Sequence, residues 1–392
     1  MTKKTKALLA AVVVAAVAVT AGIALLVVGA PGGAPDRTAG GPAESSDPGT
    51  GDSTPDARSA TQIGEDFLDE WVDDDGRVVR RDQGDDTVSE GQAYGMLVAA
   101  AVGDEDRFAA IWDWTKEELV RQDGLLAWRW ADGVVVDDMP ASDADVDAAR
   151  ALVFAGAAFD RPTWTTEGVQ LGTHVLDEMT ASTDVGRILL PGPWAAGSGP
   201  WSYNPSYAAP AAFAQLGQAS GDPRWAELEQ GSRAVTTNVL TATALPSDWA
   251  QVQRDGTVVP LPSADGSSGT VQYSYDAGRL ALRYAESCDP VDVALAARLA
   301  PVLQRYPDLP MQLDLGGQEV GQDQSPLAYA ARAAALASAG EPDAAAADLG
   351  RADALAQSTP TYYGAAWAAL AALQLDDEGS ALGACSPLAV SR

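Results

Sequence analysis

From about Thr61 to Ala389 apolar residues recur at the i, i+3, i+4, i+7 spacing of amphipathic helices, in segments of about 12–17 residues. Helices are predicted to begin near Thr61, Glu90, Glu105, Ala144, Thr163, Tyr207, Arg224, Tyr275, Val291, Ser325, Glu341 and Tyr362. Most are rich in Ala and Leu, which favour the helix. They fall into pairs joined by short turns: "GDED" (103–106), "FDRPT" (159–163), "GDPR" (221–224) and "GEPD" (340–343). The longer connections follow alternate helices and carry most of the Gly, Pro and Trp. Period-two alternation is short and scarce; "RVV" (77–79), "GVVVD" (133–137) and "GTVVPL" (256–261) predict small ribbons. Six helix pairs with long loops gathered at one end predict an all-α fold, an (α/α)6 barrel with small β ribbons in the loops. No tetratricopeptide-type repeat accompanies the pattern.

Upstream the pattern changes twice. Lys3, Lys4 and Lys6 precede an uncharged stretch over 7–30 that is long enough to span a bilayer with its basic end inside. "VGA" at 28–30 also offers a small-residue cleavage site. Residues 1–30 are therefore expected to be a membrane anchor or a signal peptide, with the rest of the protein outside the cytoplasm. Residues 31–60 hold Gly, Pro, Ser, Thr and Asp without apolar periodicity, the composition of a flexible linker. Residues 61–392 then read as the globular domain.

Composition narrows the chemistry. The 392 residues are 46% hydrophobic, enough for a sizeable core. A net charge of −30 argues against nucleic acid, whose binding needs Lys and Arg to displace counterions. It favours a neutral or cationic ligand. The single histidine, His174, lies in "LGTHVLDEM" and reads as structural, so a multi-His metal site is not expected. Two cysteines exclude a four-cysteine zinc site and an iron–sulfur cluster of the chain's own. In an exported protein, Cys288 and Cys385 are candidates for one disulfide. No cofactor and no metal are expected, and the protein is expected to be a monomer.

Three stretches place carboxylates at the start of strongly apolar helices. "SEGQAYGM" has Glu90 after Ser89; helix capping by Ser89 or Thr87, with an acid favouring the dipole, explains it in isolation. "MPASDADVDAARALVFAGAAF" (139–159) brings Asp143, Asp145 and Asp147 together, with Asp143 and Asp147 on one face and Asp145 on another. An EF-hand would need Gly and Glu where Ala148 and Phe154 stand, so calcium binding of that kind is not indicated. "VQYSYDAGRLALRYAE" (271–286) has Asp276 followed by Arg279 and Arg283 on one side, which in isolation read as surface arginines. In a barrel whose inner helices begin at one end, these acids converge on one mouth. Convergent carboxylates with aromatic neighbours are the equipment of glycoside hydrolysis.

"SEGQAYGM", "ASDADVDAARAL", "NPSY" (204–207), "PSDW" (246–249) and "SYDAGR" (274–279), in this order, resemble glycoside hydrolase family 8, whose members include bacterial endo-β-1,4-glucanases. The resemblance runs from about Phe67 to Leu373. It implies an (α/α)6 barrel and an inverting mechanism, with Glu90 as general acid, Asp276 as general base, and Asp143 holding and distorting the sugar at the cleavage point. Asp145 is the neighbour most easily confused with Asp143. The departure is "PSDW", one residue longer than the family's usual Pro-Asp-Trp, so the loop around Trp249 is expected to differ.

A polymeric sugar also needs aromatic platforms, because pyranose faces are apolar. The loops offer Trp128, Trp130, Trp194, Trp201, Tyr203, Trp249, Tyr362 and Tyr363, with Tyr207 in the "NPSY" block. The binding set expected from the motif blocks and loops is Tyr94, Trp128, Trp130, Asp145, Trp201, Tyr203, Tyr207, Tyr275, Arg279 and Tyr363. Trp112, Trp114, Trp164, Trp225 and Trp367 sit mid-pattern and are assigned to the core. The substrate expected is a β-linked polysaccharide or oligosaccharide, β-1,4-glucan first, with chitosan, xylan or mixed-linkage glucan as alternatives. An idle glycan-binding protein is a rival that would lack one of the acid–base positions. A prenyl-chain enzyme would need D-D-x-x-D, and "DDDGR" (73–77) and "DDMPA" (137–141) both lack its last Asp. Finally, the dipole at a helix start lowers a carboxyl pKa, whereas a general acid needs it raised. Asp143 is the neighbour expected to oppose the dipole at Glu90.

Overall fold

The computed structural model describes residues 58–376 and 380–390. The expected anchor and nearly all of the linker lie outside the described residues. Among those described, no helix is long and apolar enough to cross a membrane.

The helices form as paired hairpins. The chain enters through α1 (Ala60–Trp71), opened by a capping box in which Ser59 accepts from the Gln62 amide and Gln62 reaches back. Then come α2 (Ser89–Val102) with α3 (Glu105–Glu118), α4 (Ser142–Ala158) with α5 (Pro162–Glu178), and α6 (Pro210–Ser220) with α7 (Arg224–Ala242). The fourth pair is α8 (Arg279–Ala285) with α9 (Pro290–Ala297), extended by the single turn α10 (Ala300–Leu303). The fifth is α11 (Pro326–Ser338) with α12 (Pro342–Ser358); α13 (Tyr362–Gln374) packs back on α1, and α14 (Pro387–Val390) ends the described chain. All four short turns read from the sequence join partners of one pair.

Burial separates the two layers. α11 buries 12 of its 13 residues and α12 only 3 of 17, so α11 is an inner and α12 an outer helix. The inner helices α2, α4, α6, α8, α11 and α13 each touch the next, and α13 closes on α2. The outer layer is α1, α3, α5, α7, α9 and α12. This is the (α/α)6 barrel expected. Its core is continuous, rich in Ala where inner helices approach and filled by Trp225, Trp367, Phe108 and Phe213. Trp112 and Trp114 are buried and Trp164 is half-buried against this core, as assigned.

Small antiparallel ribbons decorate the loops: β1 (Thr87–Val88), β2 (Arg129–Ala131) and β3 (Val134–Asp137) in one sheet, β4 (Thr180–Thr183) with β5 (Gly186–Leu189), and β6 (Trp201–Tyr203), β7 (Trp249–Val252) and β8 (Val258–Leu261) in another. β3 and β8 coincide with predicted alternations, and "RVV" makes one isolated bridge, from Val78 to Val72, with Arg80 just beyond it bridging Asp86. Cys288 and Cys385 form the expected disulfide, fixing the segment before α14 to the end of α8 with Cα atoms 5.1 Å apart.

Two local readings are corrected. Neither Ser89 nor Thr87 caps α2: the Ser89 hydroxyl is buried with no hydrogen-bond partner, and Thr87 Oγ1 donates to the Val78 carbonyl. The helices predicted from Tyr207 and Tyr275 begin later, at Pro210 and Arg279. Tyr207 ends a short 3-10 turn, and Asp276 stands in the turn before α8.

Candidate active site

Three inner helices bring the three acids to one guanidinium. Glu90 lies in the first turn of α2 and Asp143 in the first turn of α4, while Asp276 precedes α8. Arg279, at the first position of α8 and 1% exposed, donates from Nη1 to Glu90 Oε2 at 2.9 Å and to Asp143 Oδ2 at 2.8 Å. Its Nη2 donates to Asp276 Oδ1 at 2.5 Å. Tyr94 completes the set, its hydroxyl 3.3 Å from Nη1. The terminal nitrogens of a planar guanidinium are about 2.3 Å apart, so Glu90 Oε2 and Asp276 Oδ1 lie no more than about 8 Å from each other. Arg279, expected in the binding set, is the buried hub of the site.

Burial and like charge decide which acid keeps its proton. Burial pushes the Glu90 carboxyl up to about 7; Arg279 opposes that rise, and Asp143 and then Asp276 add to it. Burial likewise pushes Asp276 up to about 6, opposed by Arg279, with the Asp248 charge raising it further. Asp143 is also raised by burial against the pull of Arg279. Three carboxylates around one cation exceed its charge, so the cluster holds a proton near neutrality. Burial contributes more to the Glu90 shift than Asp143 does, while Asp143 is, as expected, a neighbouring carboxylate that raises it.

Below this layer the pairing repeats. On α4 and the end of α8, Asp147 accepts both terminal nitrogens of Arg283, and Arg150 donates to the two oxygens of Glu286 at 2.9 and 2.7 Å. Asp143–Arg279, Asp147–Arg283 and Arg150–Glu286 are each 136 residues apart in sequence. The two helices therefore run parallel in fixed register, with rungs one turn apart. Arg283 joins Arg279 as a buried residue that the sequence presented as surface charge.

The aromatic set divides. Tyr207 lies 5.2 Å from the Arg279 guanidinium carbon, ring centroid to Cζ, and meets Trp249 edge-on at 6.2 Å. Tyr275, 39% exposed, meets Tyr363 at 6.3 Å, and the Tyr363 hydroxyl donates to the Tyr275 carbonyl. These four rings flank the acids. Trp128 and Trp130 are half-buried in the neighbouring loop; Trp130 is held by a bond to Glu118 and has Arg77 over one face. Trp201 and Tyr203 are corrections: both are buried in a second small core with Ile188, Leu190, Val235 and Val252, and offer no open face to a sugar. Their strand, W-S-Y, points alternate residues to the same side, and that side is inward. Asp145 is a second correction. It is fully buried, points away from the arginines, and accepts from the Leu126 amide at 2.9 Å. Burial pushes its carboxyl well above the usual range, making it a structural support of the loop before β2. Tyr362 is buried too, its hydroxyl against Gly91, where a Cβ would come within 2.9 Å.

Among the described residues no group of His, Cys, Asp and Glu has the arrangement of a metal site. Asp248, missed as an individual residue, is the carboxylate the structure adds. It comes from "PSDW" and bonds the backbone around Asp276.

The sequence profile for glycosyl hydrolases family 8 matches residues 55–375. A probable endoglucanase from Novacetimonas hansenii is 33% identical over 226 residues, 56% of this chain and 64% of that protein. An endoglucanase from Salmonella typhi is 30% identical over 254 residues, 61% of this chain and 66% of that protein. The chain thus spans slightly less than two thirds of the length of these curated relatives. An endo-β-1,4-glucanase structure from Acetobacter xylinum superposes with a TM-score of 0.65 at 26% identity, covering 80% of this chain and 96% of that one. A β-1,3-1,4-glucanase structure from Paenibacillus sp.X4 gives 0.70 at 18% identity over 80% and 90%, a likeness of fold.

Proposed function

The chain belongs to glycosyl hydrolases family 8, and on that footing we propose that it cleaves internal β-1,4-glucan linkages by inversion, outside the cytoplasm. The observation that carries the assignment is the convergence of Glu90, Asp143 and Asp276 on Arg279. Glu90, with a carboxyl raised to about 7, is the general acid. It gives its proton to the glycosidic oxygen as the bond from that oxygen to the anomeric carbon breaks. Asp276, which ionises at lower pH, takes a proton from a water that adds to the opposite face of the same carbon. Inversion needs about 6.5–9.5 Å between the two carboxyl groups so that this water fits, and the limit of about 8 Å set by the guanidinium fork is compatible with that separation. Asp143, anchored on the same guanidinium nitrogen as Glu90, adds a negative charge that helps the acid keep its proton. The flanking rings of Tyr207, Trp249, Tyr275 and Tyr363 are the platform for adjoining sugars. The Cys288–Cys385 disulfide supports an oxidising compartment.

Reducing-sugar release from carboxymethylcellulose, lichenan, chitosan and xylan tests the substrate, with proton NMR of early product for the anomer. Carboxymethylcellulose should be cleaved to α-anomers, and E90Q and D276N should each lose orders of magnitude in turnover while staying folded. A β-anomeric product, or no activity on any β-glucan, would overturn the proposal.

A further inference from the structure

Asp248 lies in the connection before β7 and has no place in the acid–base scheme, yet its carboxylate is fully engaged. Its Oδ1 accepts the backbone amides of Ser274 and Ala277, both at 2.9 Å, and its Oδ2 accepts the Ser274 hydroxyl at 2.6 Å. These donors lie on either side of Asp276. The Asp248 amide in turn donates to the Gln272 carbonyl at 2.9 Å, so the two segments are tied in both directions. An ionised carboxylate accepts all three bonds at once, which an asparagine cannot do with its NH2 group. Within the turn itself only the Gly278 amide, donating to the Ser274 carbonyl at 2.9 Å, and the Arg279 amide, donating to the Asp276 carbonyl at 3.1 Å, close the backbone around Asp276, and α8 begins only after it.

We propose that Asp248 is the positioning residue of the base: it closes the turn around Asp276 so that the carboxylate is held between Arg279 and the attacking water. The proposal rests on the reading of Asp276 as base. Asp276 faces Arg279 from α8, Asp248 and Asn204 from the neighbouring connections, Tyr207 from the 3-10 turn, and Tyr363 from α13; Asp143 on α4 and Glu90 on α2 lie across Arg279. Asp248 itself faces Arg279, Tyr273 and Ser274. Of the acids around the base, Asp248 contributes most to raising it. D248N keeps the side-chain shape and removes one negative charge, so Asp276 then ionises at lower pH.

The test measures kcat and kcat/KM against pH on carboxymethylcellulose for wild type, D248N, S274A and D276N, each checked for folding by circular dichroism. D248N is expected to move the acid limb down by on the order of one pH unit and to lower kcat with little change in KM. S274A removes a donor that keeps Asp248 ionised, so Asp248 loses part of its charge and the limb moves the same way by less. An acid limb that stays in place in both variants while D276N is inactive would reduce Asp248 to a merely structural role and overturn the proposal. A D276N enzyme that keeps wild-type turnover would instead overturn the reading of the base. If D248N does not fold, the S274A limb alone decides, because that change removes a single hydroxyl.

Discussion

Replacing Asp143 with Asn tests how the proton on Glu90 is kept. Glu90 Oε2 and Asp143 Oδ2 bind the same nitrogen of Arg279, at 2.9 and 2.8 Å, so they are no more than about 5.7 Å apart by that geometry. At about 5 Å and an effective dielectric of about 20, two unit charges repel by about 3 kcal/mol. That equals about two pH units, an upper limit, because each charge is spread over two oxygens and Arg279 lies between them. D143N removes this repulsion and leaves Arg279 freer to pair with Glu90, and both effects favour the ionised acid. The basic limb of kcat/KM against pH, near 7 in the wild type, should therefore fall by one to two units. Initial rates on a soluble glucan give the limb whatever the absolute rate. A limb within about 0.3 units of wild type would refute the electrostatic role of Asp143 and leave burial and Asp276 to explain the raised carboxyl.

Because the acid is raised to about 7 and the base to about 6, the wild-type profile should be a narrow bell peaking between those values, its limbs belonging to the coupled cluster; a plateau from pH 4 to 9 would contradict both assignments. E286Q leaves Arg150 buried against half a partner and should cost about 3–5 kcal/mol in urea unfolding, whereas a loss below about 1 kcal/mol would show that the pair is dispensable. Joint replacement of Cys288 and Cys385 by Ser opens a loop closed over 97 residues and should cost up to about 4.7 kcal/mol; an unchanged denaturation midpoint would refute a stabilising disulfide.

The helices and their pairing were legible because each is long, periodic and rich in good helix formers. Where periodicity gave way to packing, sequence reasoning failed in specific ways. Arg279 follows Asp276 at i+3 and looks like an exposed ion pair; only the closure of the barrel brings Glu90 and Asp143, 189 and 136 residues away, to the same guanidinium. Trp201 and Tyr203 resemble loop aromatics because Gly and Pro surround them, although their own two-residue spacing carried the signal of a strand with one buried face. Asp248 stands inside the "PSDW" block but is not singled out there, because its main-chain partners lie 26 and 29 residues onward. The missing cap at Ser89 belongs to the same class: the amide of Ser89 is taken by the Trp128 carbonyl, a contact made by β1 and β2.

The three rungs between α4 and α8 also say where this chain tolerates editing. A residue inserted between the rungs of either helix turns everything beyond it by about 100° and puts the rungs on its two sides out of register. A residue inserted between the helices, in the turns or ribbons that separate them, leaves the rungs untouched, because the register depends on spacing inside each helix and not on the 136 residues between partners. The same scaffold can thus change the length and composition of the loops around the acids while the axis that holds the acids stays the same.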